Sequence, residues 1–385
     1  MKPLKHLWEK VVAWDNLLRA YGKARRGKRG QAAVLDFGLN LEWELADIRR
    51  DLLEQTYRPG GFRQFQVRDR KLRLISAAPF RDRVVHHALM NVMEPLIDRR
   101  FIFDSYASRR GKGVHAAVRR YQAWARRYRY ALKVDVQRYF DSIDHRLLEE
   151  KLARHLGDPE VLWLFGCIID HSPLPISPHV VGAPGEDLVD RMLRPCGLPL
   201  GNLTSQFLGN LYLNDLDHYM KETVRVPAYL RYVDDCVLLA DSKKQLWSWC
   251  EALEQWLAQE RLGIHPAKRN VFRVAGGEDI LGYRVFPGFI RLSRASGYRF
   301  RRQLRSLARG YGSGRIEREA IDARVAGWIG HARQADSLGL RQAILGGVYF
   351  RRGERSGRSP GGSRGLVEQQ PTEPAFGQPQ QERAG

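Results

Sequence analysis

Ala228-Tyr229-Leu230-Arg231-Tyr232-Val233-Asp234-Asp235-Cys236-Val237-Leu238-Leu239-Ala240 decides how the chain is read. Two apolar runs flank a short polar centre, the pattern of a β-hairpin with two aspartates at its tip. Adjacent carboxylates repel: like charges about 4 Å apart cost roughly 4 kcal/mol at an effective dielectric near 20. A fold that keeps them together gains from a cation, and hard divalent ions such as Mg²⁺ prefer oxygen ligands while leaving room for water and phosphates. Asp is also a common turn residue, so a solvated polar turn explains these residues taken alone.

A third carboxylate gives the hairpin chemical meaning. Tyr130-Ala131-Leu132-Lys133-Val134-Asp135-Val136 reads as an apolar strand with Asp135 near its end. Phe140 follows, and Asp144 stands where an N-cap belongs, before a helix running to about residue 156. Asp141 and Asp144 are explained as loop and cap residues. Carboxylates on neighbouring strands can hold two metal ions about 3.5–4 Å apart, which activate an attacking oxygen and stabilise a leaving one. Phosphoryl transfer asks a protein mainly for positioning and charge neutralisation.

The bulk charge points the same way. The 385 residues include 64 Lys and Arg against 43 Asp and Glu, a net charge of +21, with a pI near 10.1. The basic residues run along the whole chain, which favours a polyanionic partner, nucleic acid first. Binding through several phosphates carries a steep salt dependence. The four cysteines, Cys167, Cys196, Cys236 and Cys250, form no CxxC pair and suggest neither a zinc site nor a disulfide framework. No run of about 18 apolar residues occurs, and the start Met-Lys-Pro-Leu-Lys-His lacks a signal-peptide core. The expectation is a cytoplasmic protein with no membrane partner.

Further out, apolar spacing predicts a helix over 4–20, followed by a basic loop, Lys23 to Gly30, read as a phosphate-contacting arm. A helix over 40–56 precedes two strands, 62–67 and 72–77, joined by Arg68-Asp69-Arg70-Lys71, and a helix over 81–98. The basic turn Ser105 to Gly113 leads into an Arg-rich helix. Residues 172–196 are rich in Pro and Gly and read as irregular. Helices are expected over 203–220 and 242–262, a strand pair at about 271–292, and a small helical module over 299–349. From Arg351 the composition predicts a disordered tail.

Taken in order, these segments resemble the reverse transcriptases over roughly residues 30–345. Lys71 to Pro79 with Arg81-Asp82-Arg83-Val84-Val85 resembles the first fingers motif, and Ser105 to Gly113 the second. Asp135 to Phe140 resembles the palm motif with the first catalytic aspartate, Leu200 to Gln206 the next palm motif, and Tyr232 to Asp235 the YxDD box. Leu262 to Lys268 resembles the motif with a lysine near the leaving pyrophosphate, Leu281-Gly282-Tyr283 the primer grip, and Gly327 to His331 a thumb segment.

The resemblance implies an α+β right-hand polymerase fold with fingers, a ferredoxin-like βαββαβ palm and a short helical thumb. The implied layout is an N-terminal helix and basic arm at 1–40, fingers at 41–130 and a palm at 131–292. Within that palm lie an insertion at about 157–196 and the primer grip at 280–292. A thumb at 293–350 and a tail at 351–385 complete it. Asp135, Asp234 and Asp235, with the carbonyl of Val136, would hold two Mg²⁺ ions, for which Mn²⁺ can substitute. Lys268 would serve as general acid. Lys71, Arg73, Phe140, Leu200, Gly201 and Gln206 would meet the incoming dNTP, with Phe140 against the sugar 2′-position. Leu281, Gly282 and Tyr283 would grip the primer. Partners implied are template RNA and a cDNA primer strand.

Many reverse transcriptases carry Gln-Gly-x-x-x-Ser-Pro where this chain has Leu200-Gly201-x-x-x-Ser205-Gln206. That form resembles the enzymes of diversity-generating retroelements, which copy a template RNA with errors at adenines and are assisted by a small helical, oligomeric accessory protein. A faithful group II intron-like or phage-defence enzyme is the nearest rival. A non-catalytic RNA-binding scaffold is the alternative of another class.

Overall fold

The computed structural model describes residues 2–68, 72–172, 187, 189 and 193–352. Lys71, most of the Pro/Gly-rich stretch and the tail from residue 353 lie outside them. The N-terminal part is helical: α1 (Trp8–Val12), α2 (Trp14–Ala24), α3 (Ala32–Leu39) and α4 (Leu41–Leu53). The single helix expected over 4–20 is split because Ala13 is extended, with ψ 138°. Strands β1 (Arg63–Arg68) and β2 (Leu72–Ala77) form an antiparallel hairpin, and α5 (Phe80–Ile97) packs on α2. The helix α6 (Val114–Ala125) leads into β3 (Tyr130–Val136).

Between β3 and the next strand lie α7 (Tyr139–Ser142), α8 (His145–His155), α9 (Pro159–Asp170), α10 (Leu203–Tyr212) and α11 (Asn214–His218). Asp144 caps α8 by accepting from the Leu147 amide at 2.9 Å. The stretch expected as an insertion from 157 begins with α9, whose Val161, Leu164, Phe165 and Ile169 are core residues. Strands β4 (Tyr229–Tyr232) and β5 (Asp235–Ala240), helix α12 (Lys243–Gln259) and β6 (Ile264–Arg273) follow. A three-stranded sheet, β7 (Glu278–Ile280), β8 (Tyr283–Val285) and β9 (Ile290–Leu292), precedes α13 (Arg294–Gly312), α14 (Arg318–Ala332) and α15 (Leu338–Leu345).

The central sheet has the order β4-β5-β3-β6, with every neighbouring pair antiparallel. Its connectivity is βαββαβ, the split βαβ arrangement. Alternation along each strand decides which side chain faces which core. Leu132, Val134 and Val136 of β3, with Cys236 and Leu238 of β5, join the larger core built on the N-terminal helices, α8, α9 and α10. Ala131, Val237 and Leu239 face the other way, into a second core with α6, the three-stranded sheet and α13 to α15. Asp135 and Asp235 share that second side at the end of the strands. The chain is thus a mixed helix and sheet protein of the α+β class. No helix among the described residues is long and apolar enough to cross a membrane.

Candidate active site

The hairpin closes with Tyr232 opposite Asp235, so its loop is Val233-Asp234 alone. Asp234 sits in the turn and Asp235 is the first residue of β5, rather than both lying at the tip. Val233 adopts φ +58°. That left-handed conformation is rare for a β-branched residue and stores on the order of 1–3 kcal/mol. The sharp turn leaves the two carboxylates at the end of the central strands.

Asp135 pairs directly with Asp235 across the β3–β5 ladder. The Val136 amide donates to the Asp234 carbonyl at 3.2 Å, which ties the turn to the end of β3. Like charges directly opposite on a sheet destabilise it. Burial, reinforced by the charges of Asp235 and Asp135, pushes the Asp234 carboxyl up to about 6. Asp235 is also raised by burial, while Lys133, 4.0 Å away, opposes that shift. Lys268 on β6 reaches Oδ2 of Asp135 at 2.5 Å. Lysines therefore face this cluster from the neighbouring strands.

These carboxylates fit a divalent cation by their chemistry: hard oxygen donors whose charges repel until something positive is added. Among the described residues, no three His, Cys, Asp or Glu side chains converge closely enough to cage an ion by themselves.

The other expected site residues are placed as follows. Phe140, half-buried on α7, packs against Gly209 of α10, where an added Cβ would lie 3.0 Å from its ring. The Leu200 carbonyl accepts from the Ser76 amide at 2.9 Å, joining this loop to β2. Gly201 has φ +112°, and a Cβ there would meet Ile75 Cγ2 at 2.7 Å, so no larger residue fits. Gln206 is exposed on α10 and accepts from Ser108 Oγ at 2.9 Å. Arg73 is exposed on β2, on the same hairpin face as Phe65 and Ile75 by register.

Leu281 and Gly282 form the two-residue turn between β7 and β8, at φ +49° and +93°. Tyr283 is fully buried, and its hydroxyl lies 2.7 Å from His331 Nδ1 and 2.9 Å from the His331 carbonyl. The turn before it is partly open to solvent, and Tyr283 braces that turn against α14.

Two features escaped the sequence. A cavity of about 510 Å³ lies between the β1–β2 hairpin, α5 and the Gly201 loop, lined by Lys28, Arg63, Arg83, His86 and His87 with no carboxylate. Lys28 comes from the basic arm, Arg63 from β1, and Arg83, His86 and His87 from one stretch of α5, so no single sequence segment announces the cavity. The second is Arg231, which reads as one polar residue in an apolar strand but lies fully buried in an ion pair with Asp217.

The reverse transcriptase (RNA-dependent DNA polymerase) family matches this chain over residues 66–285, more than half its length, and the chain belongs to that family. The match runs from within β1 through β2, the central sheet with its aspartates, to β8. Protein YkfC of Escherichia coli (strain K12) is 27% identical over 219 residues, 55% of this chain and 51% of that protein. Nuclear intron maturase 1, mitochondrial, of Arabidopsis thaliana is 30% identical over 108 residues, 28% of this chain and 15% of that protein. The chain thus spans about half the length of the first of these relatives and less of the second.

Proposed function

We propose that this protein is an RNA-directed DNA polymerase with a right-hand layout. Residues 41–130 form the fingers, 131–292 the palm and 293–350 the thumb, with 1–40 as an N-terminal helix and basic arm. The observation that carries the reading is the direct pairing of Asp135 with Asp235, with Asp234 in the adjoining turn. Asp135, Asp234 and Asp235, with the Val136 carbonyl, would hold two Mg²⁺ ions. When bound, these ions supply activation of the primer 3′-oxygen and neutralisation of the triphosphate.

The remaining residues position and discriminate. Arg73, with Lys71, meets the triphosphate with forked and point-charge contacts. Phe140 closes the space beside the sugar 2′-carbon. Leu200, Gly201 and Gln206 line the nucleotide from the other side. Lys268 gives its proton to the departing pyrophosphate. Leu281 and Gly282 hold the primer with their backbone, supported by Tyr283. The basic cavity with Lys28 and Arg63 suits a strand of template RNA.

For the biological role, the Leu200-Gly201…Ser205-Gln206 form favours an enzyme of a diversity-generating retroelement, acting in the cytoplasm with a small helical accessory protein. Leucine at position 200 offers no hydrogen bond where glutamine would. One hydrogen bond is worth about 1 kcal/mol, enough to relax discrimination though not to direct it at adenine. The test is sequencing of cDNA made on a defined RNA, with and without the accessory protein. Errors clustered at template adenines, reduced by Leu200→Gln, support the subtype. Faithful copying moves the enzyme to the group II intron-like or defence class, and absence of synthesis with any partner favours a scaffold.

A further inference from the structure

Arg231 leads the fully buried side chains by volume among the described residues, although it is a cation one residue before the YxDD box. We propose that Arg231 is a positioning residue that sets the geometry of the Val233-Asp234 turn, and through it the placement of Asp234 and Asp235. This inference rests on the polymerase reading above.

The contacts are specific. Arg231 Nε donates to Asp217 Oδ1 at 2.8 Å and Nη2 to Asp217 Oδ2 at 2.6 Å, a bidentate pair with neither side chain exposed. Tyr229 Oη also donates to Asp217 Oδ1, at 2.8 Å. The remaining capacity of the guanidinium goes elsewhere. Nη2 donates to the Asn210 carbonyl at 3.2 Å, which fixes the group to α10. Nη1 donates to the carbonyl of Val233 at 2.9 Å.

That last bond is the telling one. Val233 is the left-handed, β-branched residue that makes the turn, and its carbonyl precedes the Asp234 amide. Along β4 the side chains alternate, so Arg231 lies on the larger-core side of the sheet while Asp135 and Asp235 lie on the other. Arg231 therefore grips the turn from behind and never competes with the cluster for metal or substrate. An ion pair kept only for stability has no need of this bond, since apolar replacements often serve as well. The rigid fork of arginine makes the Asp217 pair and reaches Val233 at once; a lysine ammonium is a point charge and does not span both.

The test uses the full chain as wild type, Arg231→Lys, Val233→Gly and the double variant. Glycine adopts positive φ without strain, so it lowers the need for the grip. The readouts are thermal unfolding, kcat and KM for single-nucleotide incorporation, and the affinity for Mn²⁺ alone followed by electron paramagnetic resonance. Arg231→Lys is expected to unfold cooperatively, lose about 10- to 100-fold in kcat with KM changed less than about threefold, and bind Mn²⁺ more weakly. Val233→Gly should recover part of kcat in the lysine background and give no gain in the wild-type background.

Should Arg231→Lys fail to fold, Arg231→Gln with Asp217→Asn removes both buried charges, and the same losses are expected. A kcat within about twofold of wild type, or effects of the two substitutions that simply multiply with Mn²⁺ affinity unchanged, would overturn the proposal. If wild type itself makes no DNA, the polymerase reading fails, while Mn²⁺ affinity still reports whether Arg231 shapes the turn.

Discussion

Lys268 on β6 and Asp135 on β3 form an ion pair, Nζ to Oδ2 2.5 Å, at the edge of the aspartate cluster. The lysine remains 39% exposed while the aspartate is 13% exposed, so the cation lies on the solvent side of the carboxylate. In the proposed reading, Lys268 and a metal ion would contend for the same Asp135 oxygen, and a lysine displaced by the metal would be free to act as the proton donor.

Two opposite effects of Lys268→Gln follow. Affinity for Mn²⁺ in the absence of nucleotide should rise, because the competing charge is gone. Single-nucleotide kcat should fall by about 100- to 10,000-fold, the usual contribution of a general acid. Metal titration and single-turnover kinetics on the same preparation check both. Weaker metal binding together with unchanged kcat would contradict this account of the pair.

Asp234→Asn should separate stability from activity. A carboxyl whose folded-state value is raised to about 6 is costly when ionised, so its stability penalty is present above that pH and disappears below the ordinary carboxylate range. With allowance for partial exposure, the metal-free variant should gain about 1–2 kcal/mol at pH 8, seen as a higher Tm. The gain should shrink at pH 5 and with added Mg²⁺, while polymerisation falls by on the order of a thousandfold. A variant less stable than wild type at pH 8 would mean the cluster is not strained.

Phe140→Ala should admit ribonucleotides. The ring lies against Gly209 of α10 and beside the Tyr139 ring, next to the nucleotide in the proposed reading. Ribonucleotide incorporation should rise by about tenfold or more with dNTP use largely retained, a discrimination of roughly 1.4 kcal/mol. An unchanged preference would make the ring ordinary packing and place sugar selection elsewhere.

The histidines of the basic cavity predict acid sensitivity. Burial holds His86 down at about 3 and His87 at about 4, with neighbouring cations adding to both. The unfolded chain takes up their protons near 6.5, so stability is flat above that pH and declines as pH falls from about 6.5 toward 4. Thermal unfolding across pH 4–8 should show this decline, reduced in His86→Gln. An identical pH profile in that variant would assign the acid sensitivity to other groups.

The central elements were legible because their signals are local. The β4–β5 hairpin, the strand over 130–136 and the Asp144 cap each lie within one segment and need no knowledge of what packs on them. What was missed depends on long-range contact. Pro266 argues against a strand at 264–273, yet β6 is the sheet edge and bulges there, where a proline costs no ladder bond. The charge of Arg231 is explained only by Asp217, fourteen residues earlier in sequence and on another element. The cavity brings Lys28 from the basic arm and Arg63 from β1 against Arg83 and His87 of α5, and only the fold puts these three segments together.

Primer extension on a defined RNA template, with Mg²⁺ and dNTPs, tests the central claim most directly when run beside Asp135→Asn and Asp235→Asn. The account predicts RNA-templated DNA synthesis by the wild type that is lost in both variants while each remains folded by thermal unfolding. Synthesis that survives either substitution would contradict the assignment of the paired carboxylates as the catalytic centre.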